Sequence, residues 1–182
     1  MNLPNRISIF RILLVPVFIF LYFHYMTNYN GIINMHFYLV LGVLALAAFT
    51  DALDGFIARV FKQKTTLGSV LDPLADKLLL TSCFIMLAIF NKIPFWVMLV
   101  VVARDIILSI GWVVRYVFSS IVSVKPVIAG KVSTFLQLCA IFLSIINYNA
   151  RVIRPVTYAM VLFTLLSGLI YIYQGSKSLN NE

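Results

Sequence analysis

Six apolar runs of about twenty residues, the length a helix needs to cross a bilayer, dominate this chain. They fall at roughly 9–26, 37–61, 70–90, 94–117, 130–147 and 153–173. Inside hydrocarbon every backbone N–H and C=O must be satisfied within the segment, so runs of this length are helices. The connections are short and carry turn residues: Asn28-Tyr29-Asn30-Gly31, Asn91 to Pro94, and Asn147 to Asn149 followed by Arg151 to Pro155. The chain is 62% hydrophobic and 11% charged, whereas a soluble domain is nearer half apolar and a quarter charged. Its 182 residues leave room for one domain, 1–182, with no internal repeat or low-complexity tract. The expected fold is an all-α integral membrane protein, a bundle of six transmembrane helices.

The net charge of +8 is spread singly between apolar segments, without the basic run or aromatic interleaving of a nucleic-acid binder. It fits the positive-inside rule and contacts to anionic lipid or phosphate better. Arg6, Arg11, Arg59, Lys62, Lys64, Arg115, Lys125, Lys131 and Lys177 lie on one side of the expected bundle, against Lys92, Arg151 and Arg154 on the other. That asymmetry predicts both termini in the cytoplasm, with Asn2 to Asn5 as a short interfacial segment before a retained first span. Cys83 and Cys139 lie in apolar runs without CxxC or metal spacing and are expected to pack.

Four of the six acidic residues, Asp51, Asp54, Asp72 and Asp76, crowd into one segment between two apolar runs. Asp51 and Asp54 are three apart and Asp72 and Asp76 four apart, so on helices each pair shares a face. A turn at Lys62 to Gly68, with Pro73 in the first turn of the third span, would let the two pairs face each other across a hairpin. Four carboxylates in a low-dielectric wall cannot all stay ionised without strong counter-charge. On the two expected helices beside the acids the cations are Arg59 and Lys77, and two monocations fall short. A divalent metal supplies the charge, and an all-oxygen donor set favours Mg²⁺ or Mn²⁺. Two such ions make a clamp for in-line phosphoryl displacement. Arg59 can fork onto phosphate oxygens, and Gly55, Ala58 and Gly68 leave room for a bulky ligand. Gly55 or Ala58 taken alone reads equally as helix packing. His24 and His36 fall near the opposite membrane face, out of reach.

The order Asp51-x-x-Asp54-Gly55-x-x-Ala58-Arg59, eight residues, Gly68, three residues, Asp72, three residues, Asp76 resembles the signature of the CDP-alcohol phosphotransferases. The resemblance implies six membrane helices with the signature across the second and third. Asp51, Asp54, Asp72 and Asp76 would then ligate two divalent ions, Mg²⁺ or Mn²⁺. Asp51, Gly55, Ala58, Arg59 and Gly68 would bind the CDP-linked lipid, and Asp76 would be the base that takes the acceptor's hydroxyl proton. It further implies a homodimer in a cell membrane, of bacterial type, with the site facing the cytoplasm.

The opening Asn2-Leu-Pro-Asn5…Arg11 and Pro16 resembles both the bacterial phosphatidylglycerophosphate synthases and the cardiolipin synthases of this superfamily, which use CDP-diacylglycerol. An acceptor carrying phosphate suits Arg104, Arg115, Lys125 and Lys131. Arg104 lies mid-span, where an unpaired charge is costly. Asp105 is its sequence neighbour, but adjacent helical residues point about 100° apart, an imperfect partnership. A structural pair with a polar group on another helix reads as well as a substrate role. Gly130-Lys131-Val-Ser133-Thr-Phe-Leu-Gln137 resembles the G-K-x-K-T-x-x-Q segment of the glycerophosphate enzymes, with Ser133 for their second lysine. The expected acceptor is glycerol 3-phosphate, with phosphatidylglycerol, the cardiolipin synthase substrate, as the alternative. A divalent-cation transporter is the alternative of another class. It fits less well, because the acids lie near one face and no repeat is present.

Overall fold

In a computed structural model, the chain is described over residues 3–60, 66–118, 128–146 and 149–179, with side chains left out at 3–6, 52, 54–60, 66–74, 112–118, 150, 172 and 174–179. The described residues form six α-helices and no strand: α1 (Leu3–Tyr29), α2 (Met35–Val60), α3 (Thr66–Ile89), α4 (Phe95–Phe118), α5 (Ile128–Ile145) and α6 (Ala150–Leu179). Three stretches are long and apolar enough to cross a membrane, Ile7–Tyr29, Ile128–Ile145 and Arg151–Tyr171. Large apolar side chains point outward along the helices, among them Leu13, Phe20, Phe49, Phe95, Phe135 and Leu169, all at least 60% exposed. Apolar exposure on this scale belongs to a surface that meets lipid or another apolar partner.

Four helix ends show why the elements start and stop where they do. Asn30 and Gly31 both take positive φ, 48° and 78°, and Ile32 N–H bonds to Tyr29 C=O at 2.9 Å. This is the Asn-Gly turn of type I′ character that the sequence signals. Asn34 then caps α2, its Oδ1 accepting from Phe37 N–H at 3.1 Å. At the end of α3, Asn91 is left-handed (φ 55°). Its N–H bonds to Ala88 C=O at 3.0 Å and Lys92 N–H to Leu87 C=O at 2.8 Å, a Schellman closure with asparagine in place of glycine. Asn149 caps α6, accepting from Arg151 N–H at 3.0 Å.

Several expected boundaries move. α1 runs unbroken from Leu3, so Leu3 to Asn5 are its first turn rather than a segment set apart from it. α3 is described from Thr66, which puts Gly68 and Pro73 within it. A proline inside a helix costs one hydrogen bond without ending it. Arg151, Arg154 and Pro155 likewise belong to α6 rather than to the preceding connection, because Asn149 supplies the cap.

The chain divides into two compact units, Met1–Met86 and Leu87–Glu182. In the first, α1 packs on α2, and Phe18, Tyr22, Tyr25, Val40, Ala47, Cys83 and Phe84 are almost fully buried. Cys83 is a free, buried packing residue, and Cys139 of the second unit is free and half-buried. In the second unit, α6 packs on both α4 and α5. Ser133 and Thr164 hydroxyls share a 2.8 Å hydrogen bond across α5 and α6, beside buried Ser167. Small and polar contacts of this kind hold membrane helices together, where lipid removes the hydrophobic drive. A Cβ at Gly130 would sit 3.3 Å from Ser167 Oγ, while one at Gly42 would meet nothing within 4 Å. Gly130→Leu is therefore expected to destabilise the protein by about 1–3 kcal/mol, and Gly42→Leu to be near neutral. Unfolding of both variants in mixed micelles checks the contrast.

Candidate active site

α2 carries Asp51, Asp54, Gly55, Ala58 and Arg59, and α3 carries Gly68, Asp72 and Asp76. Both aspartate pairs are therefore on continuous helix, and the i,i+3 and i,i+4 spacings put each pair on one helix face as expected. The expected turn from Lys62 lies outside the described residues up to 65. The side chains of Asp54, Gly55, Ala58, Arg59, Gly68 and Asp72 lie outside them too. Two acids are described in full. Asp51 has a side chain 55% exposed, and Asp76 is half-buried and engaged in further interactions. No group of three potential metal-ligating side chains occurs among the described residues.

Asp51 is held by a residue that the local sequence does not suggest. Arg11, on α1, donates from Nη1 to Asp51 Oδ1 at 2.6 Å, and its side chain is only 1% exposed. The expectation that Arg59 and Lys77 are the nearby cations is thus incomplete, because the helix packing brings in a third from forty positions away. A buried guanidinium without an acid on its own helix was the available signal. The pair leaves Oδ2 of an exposed carboxylate open, which suits a hard-cation ligand. An all-oxygen set of aspartates matches Mg²⁺ or Mn²⁺ chemistry. His24 and His36 lie together at the other end of the same hairpin, ring centroids 4.9 Å apart, with Tyr29 stacked on His36 at 4.8 Å. At ~1.5 Å per residue, His36 is about 22 Å along α2 from Asp51, so the histidines take no part in this site.

The residues expected to meet the acceptor divide. Arg104 is buried on α4 and pairs with Asp105, Nη1 donating to Oδ1 at 2.6 Å. Its Nη2 donates to Ser167 Oγ on α6 at 3.1 Å. Asp105 is thus a full partner after all, because a long arginine side chain can fold back over the roughly 100° between neighbours. The pair with a second helix that the sequence allows is also made. Among the described residues Arg104 Nε has no hydrogen-bond partner. Lys131 is an exposed side chain on α5, Arg115 is placed on α4 by its backbone alone, and Lys125 lies outside the described residues. Gln137, invisible as a functional residue except through its segment, is fully buried, and neither of its amide atoms is hydrogen-bonded.

The chain matches the family model described as CDP-alcohol phosphatidyltransferase over residues 1–169. It is 33% identical to the cardiolipin synthase (CMP-forming) of Homo sapiens, covering 97% of this chain and 62% of the human protein. It is 32% identical to the CDP-diacylglycerol–glycerol-3-phosphate 3-phosphatidyltransferase of Aquifex aeolicus, covering 100% of both. It is 30% identical to the protein of the same description in Wigglesworthia glossinidia brevipalpis, over 92% of this chain and 85% of that one. Against the cardiolipin synthases it matches, the chain spans about six tenths of their length. The aspartates on α2 and α3 stand inside the matched region, and the chain belongs to the CDP-alcohol phosphatidyltransferase family.

Proposed function

We propose that this protein transfers a phosphatidyl group from CDP-diacylglycerol to the hydroxyl of glycerol 3-phosphate, releasing CMP. The observation that carries the reading is the set of four aspartates, two on α2 and two on α3, within the stretch that matches the family model. The protein would work as one membrane domain of six spanning helices, termini in the cytoplasm and site at the cytoplasmic leaflet. Three of the spans meet strict length and hydropathy criteria.

Asp51, Asp54, Asp72 and Asp76 would hold two divalent ions, Mg²⁺ or Mn²⁺, which when bound neutralise the pyrophosphate and stabilise charge on the displaced oxygen. Arg59 forks onto the phosphate oxygens. The small residues Gly55, Ala58 and Gly68 leave space for the nucleotide at the helix surface. Asp76 accepts the hydroxyl proton of the acceptor. The acceptor oxygen then forms its bond to the phosphorus that carries diacylglycerol, the bond from that phosphorus to the CMP oxygen breaks, and CMP leaves with the electron pair. Arg104 through Nε, with Arg115, Lys125 and Lys131, would bind the acceptor's phosphate.

Glycerol 3-phosphate is favoured by the end-to-end match to the Aquifex relative so described. The cardiolipin synthase reading, with phosphatidylglycerol as acceptor, draws on the match to the human enzyme. The two separate in one assay. With CDP-diacylglycerol and Mg²⁺ in detergent, CMP release is expected with glycerol 3-phosphate and not with phosphatidylglycerol, serine or inositol phosphate. Release with phosphatidylglycerol alone transfers the assignment to the cardiolipin branch. In the same assay Asp76→Asn is expected to lower kcat by about 10²–10⁴-fold while the protein elutes as the wild type does. A near wild-type rate removes Asp76 as the base.

A further inference from the structure

We infer that Arg11 is a positioning residue for the metal site, fixing the Asp51 carboxylate so that it offers one oxygen to a divalent cation. This rests on the proposed metal-dependent transfer and adds to it a residue from outside the signature segment.

Arg11 is constrained by where it sits. Its side chain is 1% exposed, on an α1 stretch long and apolar enough to cross a membrane. A guanidinium there is costly unless it is paired. Asp51 Oδ1 is a partner at 2.6 Å, in the range of a strong charge-assisted hydrogen bond. The arginine is itself fixed by α1 packing on α2, with Leu14 and Phe18, one and two turns further along α1, both buried.

Asp51 is the opposite kind of group. Its side chain is 55% exposed, and among the described residues its one hydrogen-bond partner is Arg11. Without that contact an exposed aspartate is free to change rotamer. With it, Oδ1 is committed and Oδ2 is left for a ligand. Carboxylates that ligate metals are commonly held this way by a hydrogen bond from behind, and loss of such a partner weakens metal binding about 10–100-fold. The guanidinium charge also repels an approaching cation, and the two effects oppose. Orientation wins, because the exposed side of the carboxylate faces a high-dielectric medium that weakens the repulsion, while nothing else described holds Asp51 still.

The test uses the full chain purified in detergent, with Mn²⁺ as the probe. Free Mn²⁺ is followed by its paramagnetic resonance signal, and CMP release is titrated against Mn²⁺ in parallel. Arg11→Ala is expected to raise the Mn²⁺ dissociation constant about 10–100-fold, with kcat recovering to within a few-fold of wild type at saturating Mn²⁺. Arg11→Lys, which keeps the charge without the planar fork, is expected to fall between. A purely structural role would lower the folded fraction and kcat and leave the Mn²⁺ constant alone. Unchanged or tighter Mn²⁺ binding in the variants overturns the inference, as does a wild-type protein that binds no Mn²⁺. If Arg11→Ala does not fold, Arg11→Lys decides on the same constants. Wild-type protein that binds Mn²⁺ but releases no CMP sinks the transfer reading, while the resonance titration still judges Arg11.

Discussion

A guanidinium buried on an apolar helix needs a counter-charge, and the first unit of this protein supplies one to Arg11 from another helix. Asp51 is reached by Arg11 at 2.6 Å across two packed helices. The contact explains two things at once. It lets an arginine sit 1% exposed in an apolar helix, and it pins the end of α2 that begins the signature. Removing Asp51 would take a charge-assisted partner from a buried guanidinium, a costly loss in that setting. Asp51, the first acid of the signature, is therefore tied into the packing of α1 on α2.

The second unit solves the same problem differently. Arg104 and Asp105 neutralise each other within one helix, and Ser167 takes the remaining terminal nitrogen of the guanidinium. Around them α5 and α6 meet through Gly130, Ser133, Thr164 and Ser167, a seam of small and hydroxylated residues that lets backbones approach where lipid gives no hydrophobic drive. Buried Gln137 and Arg104 Nε keep hydrogen-bonding capacity unspent. Groups left in that state are costly.

Much of this was legible in the sequence, for physical reasons that also mark the limits. Apolar runs of spanning length announce helices, and Asn-Gly and Asn-x-x-Pro punctuation announces their ends, so all six elements fall near their expected places. The expected start of α6 falls late because Pro155 reads as a boundary, whereas the helix start is set by the capping residue Asn149. The aspartate spacing on α2 and α3 is a local pattern and could be read directly. The Arg11–Asp51 pair could not, since forty residues separate its members and Arg11 looked like one more topology charge. Arg104 and Asp105 were misjudged for a different reason, that angular spacing on a helix ignores the reach of a long side chain.

The central claim is that the acids hold a CDP-lipid so that its diacylglycerol-bearing phosphorus changes partner. The most direct measurement labels that phosphorus with ³²P and follows it after incubation with glycerol 3-phosphate and Mg²⁺. The account predicts label in a new lipid, phosphatidylglycerophosphate, with unlabelled CMP released in equal amount. Label recovered only in unreacted CDP-diacylglycerol, or only in phosphatidate irrespective of acceptor, would contradict it.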